Sequence, residues 1–201
     1  MFFSFDGIDG VGKSTQLRLF AEFLEASGRQ VVTCRDPGST ALGEEVREIL
    51  LAHRDSPIGT TSEMLLYMVA RAQLVEETIR PALTGGKTVI ADRFLLSNVV
   101  YQGHAGGLEP EAIWQIGRMA TGGLEPDLTF VLDMAPADAI ARLDRELDRM
   151  ERQSADFRQR LRAGFLTEAA ARPESVAVID ASGPVDEVQD QIREAAARML
   201  C

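Results

Sequence analysis

Gly7-Ile8-Asp9-Gly10-Val11-Gly12-Lys13-Ser14 fits the pattern G-x-x-x-x-G-K-[ST], a spacing suited to holding phosphate. Its glycines let backbone N–H groups converge on an anion without side chains in the way. The helix read from Ser14 onward adds its positive N-terminal end. Lys13 can reach the β- and γ-phosphates, Ser14 offers a hydroxyl to Mg²⁺, and Thr15 completes the triphosphate segment. The setting supports the motif. Met1 to Phe5 reads as an apolar strand; Leu17, Phe20, Ala21 and Leu24 then recur at helical spacing until Gly28. The alternative is a Gly-rich turn with a chance Lys-Ser. The loop indicates a nucleoside triphosphate, without saying what is done with it.

Further residues could act on a second ligand. Asp92-Arg93 follows an apolar run; the acid can hold a Mg²⁺ water shell and the Arg can grip a phosphoryl group. Elsewhere the pair would read as a surface ion pair. Arg35-Asp36-Pro37-Gly38-Ser39-Thr40 is a tight turn, either a connector or a pocket wall with Arg35 or Arg47 near a phosphate. Tyr67 and Arg71 share a helix face and could stack and read a base, though pattern alone favours a core aromatic with a snorkelling Arg. Ser97, Asn98 and Tyr101 suit ligand contact, and a turn with a cap would also explain them. Arg142, Arg145, Arg149 and Arg152 make the densest charge run. A solvated helix with ion pairs is its simpler reading, but phosphoryl transfer needs mobile cations over the γ-phosphate. His53 and His104 have no metal-pair spacing.

The elements that must position these residues alternate along the chain. Short apolar runs at 30–35, 88–91, 128–132 and 176–179 join the first strand. Helical segments at 41–52, 62–83, 109–121, 136–148, 154–171 and 184–200 lie between or beyond them. This is the pattern of an open parallel sheet covered by helices on both faces, in one domain spanning 1–201. Ligands on such sheets gather at the strands' carboxyl ends. Asp6, Arg35-Asp36, Asp92-Arg93 and Asp133 are expected to face one crevice there.

The 201 residues are 45% hydrophobic, enough for one core, and carry a net charge of −10. That charge argues against a nucleic-acid partner and requires any anion site to be locally basic. Cys34 and Cys201 form no disulfide framework or metal spacing and read as free thiols in a reducing compartment. Asp6 interrupts the apolar start, so no signal peptide is read, and no run is long enough for a membrane span. The expected location is the cytoplasm.

Five motifs in order resemble the thymidylate kinase family across essentially the whole chain. They are the phosphate loop containing Asp9, Asp-Pro-Gly-Ser-Thr, Leu-Leu-Tyr-x-x-x-Arg, Asp-Arg-Phe-x-x-Ser-Asn-x-x-Tyr-Gln-Gly and Leu-Asp-Arg-Met-Glu. The resemblance implies an α/β, three-layer P-loop fold with a five-stranded parallel sheet and an arginine-rich lid at about 142–155. It implies in-line transfer from ATP to dTMP with Mg²⁺, in a homodimer; Ser14 and Asp92 remain the candidate metal residues from their own pattern. Lys13 would hold ATP phosphates, and Asp9 would approach the dTMP sugar 3′-hydroxyl. Tyr67 would stack on thymine, Arg71 and Asn98 would hydrogen-bond the base, and Arg93 would bind the dTMP phosphate. Ser97 joins this acceptor set, and Tyr101 would pack under the deoxyribose and disfavour a 2′-hydroxyl. Ser182-Gly183-Pro184-Val185 would line the adenine site. Arg145 and Arg149 are the candidate catalytic lid residues; Arg149 fits the Asp-Arg-x-Glu element, whereas Arg142 and Arg145 need a one-residue shift.

There are departures from the family pattern. Gly10 stands where a basic residue could sit in the loop, which assigns that charge to the lid. Asp36 replaces a more usual Glu, Ser39 a Gly and Tyr67 a Phe. The rival readings are a kinase for another nucleoside monophosphate or a deoxynucleoside, and a nucleotide-dependent switch. A guanine switch would carry an Asn-Lys-x-Asp-like base reader, and the chain has none.

Overall fold

The computed structural model describes residues 1–52, 57–143 and 154–200. The chain runs β1 (Phe2–Asp6), α1 (Lys13–Ala26), β2 (Val31–Arg35), α2 (Ala41–Leu51), α3 (Thr60–Leu74), α4 (Arg80–Thr84) and β3 (Thr88–Asp92). It continues with α5 (Leu95–Asn98), α6 (Pro110–Thr121), β4 (Leu128–Asp133), α7 (Pro136–Ala141), α8 (Ala155–Ala171), β5 (Val176–Asp180) and α9 (Val185–Leu200). Wide π-helical turns occupy Val75–Ile79 and Val99–Ala105.

All five strands are parallel, in the order β2-β3-β1-β4-β5. Strand β1 lies at the centre, and its alternation divides the core. Phe3 and Phe5 meet Phe20 of α1, with ring centroids 5.2 and 6.0 Å away. On the opposite face Phe2 meets Phe94 edge-on at 5.0 Å, and Ser4 bonds Thr129. Burying each such ring contributes roughly 1.5–3 kcal/mol. The three inner strands are covered almost throughout, as expected. The outer strands β2 and β5 are half-exposed instead, because each has a neighbour on one side only.

Two helices differ from their sequence expectation. The segment 62–83 is helical but widens into the π turn just before Pro81. Proline cannot donate to the carbonyl four residues back, and a wide turn absorbs the missing bond. The helix expected over 136–148 ends as α7 at Ala141. Arg142 there turns its guanidinium onto the Ala181 and Ser182 carbonyls, at 3.2 and 3.3 Å. Positions 144–148 of that expected helix lie outside the described residues. Cys34 is a buried free thiol that burial, helped by Asp36 and Asp92, pushes up to about 12. Among the described residues, no helix is long and apolar enough to cross a membrane.

Candidate active site

The sheet register puts the phosphate loop beside the end of β3. Phe5 pairs with Asp92, and the Arg93 amide donates to the Phe5 carbonyl at 2.9 Å. The loop's glycines are required by its path. Gly7 (φ 130°) and Gly10 (φ 88°) occupy the left-handed region, and a Cβ would fall 2.5 Å from the Leu132 oxygen and 2.0 Å from the Ala139 oxygen respectively. Helix α1 starts behind Gly12 with no side-chain cap. Its first-turn N–H groups are therefore left for an anion.

Lys13, buried at the loop's foot, donates to the Gly7 and Ile8 carbonyls at 3.1 and 2.8 Å. Burial and then Arg93 bring its ammonium down to about 8, against the pull of Asp9, Asp92 and Asp6. Ser14 donates to Asp92 at 3.3 Å. Arg93 itself has φ 67°, a sparsely populated conformation for a side-chain-bearing residue. Four groups fix its guanidinium. Nη1 donates to the Gly7 carbonyl and to Ser97, both at 3.0 Å; Nη2 donates to Asp9 and, at 3.2 Å, to the Tyr101 hydroxyl. Tyr101 in turn donates to the second Asp9 oxygen at 3.0 Å. Burial works to raise the Asp9 carboxyl, but Arg93, Lys13 and Tyr101 outweigh it and hold it at about 2. Asp9 is thus an anion at neutral pH.

A second set of polar residues lies deeper. Arg71 is fully buried; its Nε donates to Asp36 at 2.6 Å and its Nη1 to Asn98 at 3.0 Å, over the Phe94 ring. It is neither a snorkelling residue nor a solvated one. The second oxygen of Asp36 is buried without a hydrogen-bond partner. Burial raises this carboxyl, with Arg71 opposing. Asn98 donates to Gln102 at 2.5 Å, and Gln102 to Glu63 at 2.8 Å.

One cavity of about 440 Å³ joins the two sets. It is lined by Asp9, Gly10, Gly12, Lys13, Ser14 and Thr15 on the loop side, and by Tyr67, Arg71, Arg93, Ser97, Asn98 and Tyr101 on the other. Among the described residues six that line it are cationic and three are acidic, so this lining is locally basic within an acidic chain. Gly7, Ile8 and Val11 are buried behind the lining; Ile8 and Val11 anchor the loop in the core. The crevice expectation fails at two of its four strand ends. Asp6 is buried beneath the site, taking a hydrogen bond from Ser97, and each Asp133 carboxylate oxygen accepts from Arg162, one from Nε and one from Nη2, both at 2.7 Å. Ser182 to Val185 do not line the cavity; Arg142, which does, straps the start of that segment to its rim. Arg35 and Arg47 line it too, the first paired with Glu44 and the second bonded to the Pro37 carbonyl. Arg145, Arg149 and Arg152 lie outside the described residues. The sequence reading gave no role to Phe94, Gln102 or Glu63. For Glu63 the available signal was its spacing, four residues before Tyr67 and eight before Arg71 on one face of α3.

The profile of the thymidylate kinase family matches residues 5–192. The chain belongs to the thymidylate kinase family. A thymidylate kinase of Symbiobacterium thermophilum is 48% identical over all of this chain and 94% of its own length. One of Rhodopirellula baltica is 45% identical over 93% of this chain and 76% of its own. The crystal structure of thymidylate kinase from Ehrlichia chaffeensis superposes with a TM-score of 0.79 at 32% identity, covering 100% of this chain and 98% of that one. The family and its fold agree with the five-stranded parallel sheet. The activity of this chain is the family's: it phosphorylates dTMP to dTDP with ATP.

Proposed function

We propose that the two ends of the cavity divide the substrates, with ATP phosphates on the loop and α1 and dTMP between Arg93 and Arg71. The observation that carries this reading is the Asp9–Arg93–Tyr101 cluster, which ties the loop ahead of the uncapped start of α1 to the segment that also carries Asn98, the partner of Arg71. Lys13 exchanges its loop carbonyls for triphosphate oxygens. Arg93, fixed by Ser97 and Asp9, binds the dTMP phosphate, and Asp9 accepts from the sugar hydroxyl. Tyr101 packs under the deoxyribose, Tyr67 covers the thymine, and Arg71 and Asn98 meet its edge. A dTMP phosphate oxygen attacks the γ-phosphorus in line; the new P–O bond forms as the bond to the β-phosphate oxygen breaks and ADP leaves. The protein supplies alignment and positive charge rather than a nucleophile. The Ser14 hydroxyl and Asp92 carboxylate, together at the cavity wall, are a hard-oxygen pair that fits Mg²⁺ completed by water and phosphate. Bound there, the ion would neutralise charge on the β- and γ-phosphates.

The single domain, the cytoplasmic location and the homodimer belong to the same reading. For the dimer, support comes from α2 and α3, where Leu42, Ile49, Leu65 and Val69 are exposed large apolar residues. Arg145 and Arg149 are proposed to cover the transferred phosphoryl group. An ADP-release assay with dTMP, dUMP, dCMP, dGMP and thymidine tests the whole. Highest kcat/KM on dTMP is expected, and turnover of thymidine without turnover of dTMP overturns it. In the same assay Arg145→Ala and Arg149→Ala should each lower kcat by at least about tenfold, or roughly 1.4 kcal/mol of barrier. Unchanged kcat in both would remove them from the transfer step.

A further inference from the structure

The polar groups behind the base-reading pair form a relay with a fixed direction. Arg71 donates to Asn98 Oδ1, Asn98 Nδ2 donates to Gln102 Oε1, and Gln102 Nε2 donates to Glu63 Oε1. A guanidinium can only donate and a carboxylate can only accept, whereas each amide between them has one end of each kind. A single orientation of both amides satisfies all three bonds. Turning either one over sets donor against donor or acceptor against acceptor among buried groups. Helix α3 supplies both termini, Glu63 and Arg71, so the relay leaves that helix and returns to it through α5 and the π turn.

We propose that Gln102 and Glu63 are specificity-determining positioning residues. They hold Asn98 with its oxygen toward Arg71, and thereby keep Arg71 presenting N–H donors to the acceptor base. A base with a carbonyl at that edge is accepted. Cytosine, which carries an amino group where thymine has the carbonyl, would set donor against donor. Gln102 is part of the cavity lining, and Glu63 acts from outside it. This inference rests on the reading that puts the acceptor base against Arg71 and Asn98.

The test is the ratio of kcat/KM for dTMP to that for dCMP, with KM for ATP as the control for the rest of the site. Gln102→Met and Glu63→Met remove relay partners at similar volume, and each should lower the ratio about tenfold while KM for ATP stays within about twofold. Glu63→Gln keeps an oxygen that accepts from Gln102, and should stay within about threefold of the parent ratio. An unchanged ratio in Gln102→Met overturns the proposal, and should Glu63→Met fail to fold that variant decides alone. Loss of the ratio in Glu63→Gln equal to that in Glu63→Met also overturns it. Arg71→Met separates the two levels. If it loses the ratio while the Gln102 variant keeps it, the relay is wrong and the substrate reading stands. If Arg71→Met itself keeps the ratio, the reading of the acceptor base is wrong.

Discussion

Asp9 and Lys13 lie four residues apart in one loop, yet their surroundings push them toward opposite needs. Asp9 is held at about 2 because Arg93 and Lys13 outweigh its burial. Lys13 is brought down to about 8 because burial and Arg93 outweigh three carboxylates. The Lys13 proton is therefore lost from the free protein as pH rises through about 8, and the charge that meets the triphosphate goes with it. The pH profile of kcat/KM for ATP, which reports the free enzyme, should fall above about pH 8. The profile of kcat should extend further into the alkaline range, since bound phosphate favours the charged amine. A Lys13→Arg enzyme, if it turns over, should lose that alkaline limb, because guanidinium stays protonated. A limb that persists at the same pH in Lys13→Arg would assign it to another group.

At the scale of elements, the loop is shaped by its neighbour α7 as much as by its own sequence. Gly10 is the position where a basic side chain could have supplied catalytic charge. Its φ of 88° and the Ala139 oxygen, 2.0 Å from where a Cβ would stand, exclude any side chain without moving the loop or the helix. Gly10→Ala should cost about 2–4 kcal/mol from a strained φ plus overpacking. A lower urea midpoint at an unchanged m-value would register it. Gly12 has the same backbone sign with open space around it, so Gly12→Ala should cost less. An equal loss at both positions would mean that the clash with α7 contributes nothing. The π turn at Val99–Ala105 is a second case. It carries Tyr101 toward Asp9 and Gln102 toward Glu63 from adjacent positions, which point to different sets of partners.

At the scale of the molecule, the exposed apolar residues of α2 and α3 lie on the same helix pair that builds the acceptor side of the cavity. Leu65 and Val69 interleave along α3 with Glu63, Tyr67 and Arg71. If a second copy covers this face, separating the copies should loosen the acceptor end more than the phosphate loop. Leu65→Glu combined with Val69→Glu should give a monomer by light scattering, with KM for dTMP raised several-fold more than KM for ATP. A parent protein that is already monomeric at micromolar concentration would remove the dimer from the reading. The same scale explains how an acidic chain binds two polyanions. The chain as a whole carries a net charge of −10, while among the described residues the cavity lining gathers six cations against three acids.

The sequence determined the phosphate loop, the alternation of strands and helices, and the family, because each is written in local spacing. Seven successive positions set the anion cradle from Gly7 to Lys13, and periods of two and near four set the elements. Partnership was beyond its reach. Asp133 has the same local signature as Asp92, a carboxylate closing an apolar strand; only packing gives one to Arg162 and the other to the cavity. Arg71 looked like a surface-reaching side chain until Asp36, 35 residues away, and Asn98, 27 away, enclosed it. Glu63 and Gln102, 39 residues apart, have no shared motif at all. A hydrogen bond is decided by distance in space over a few ångströms, and only the folded sheet brings β2, α3, β3 and the π turn within that range.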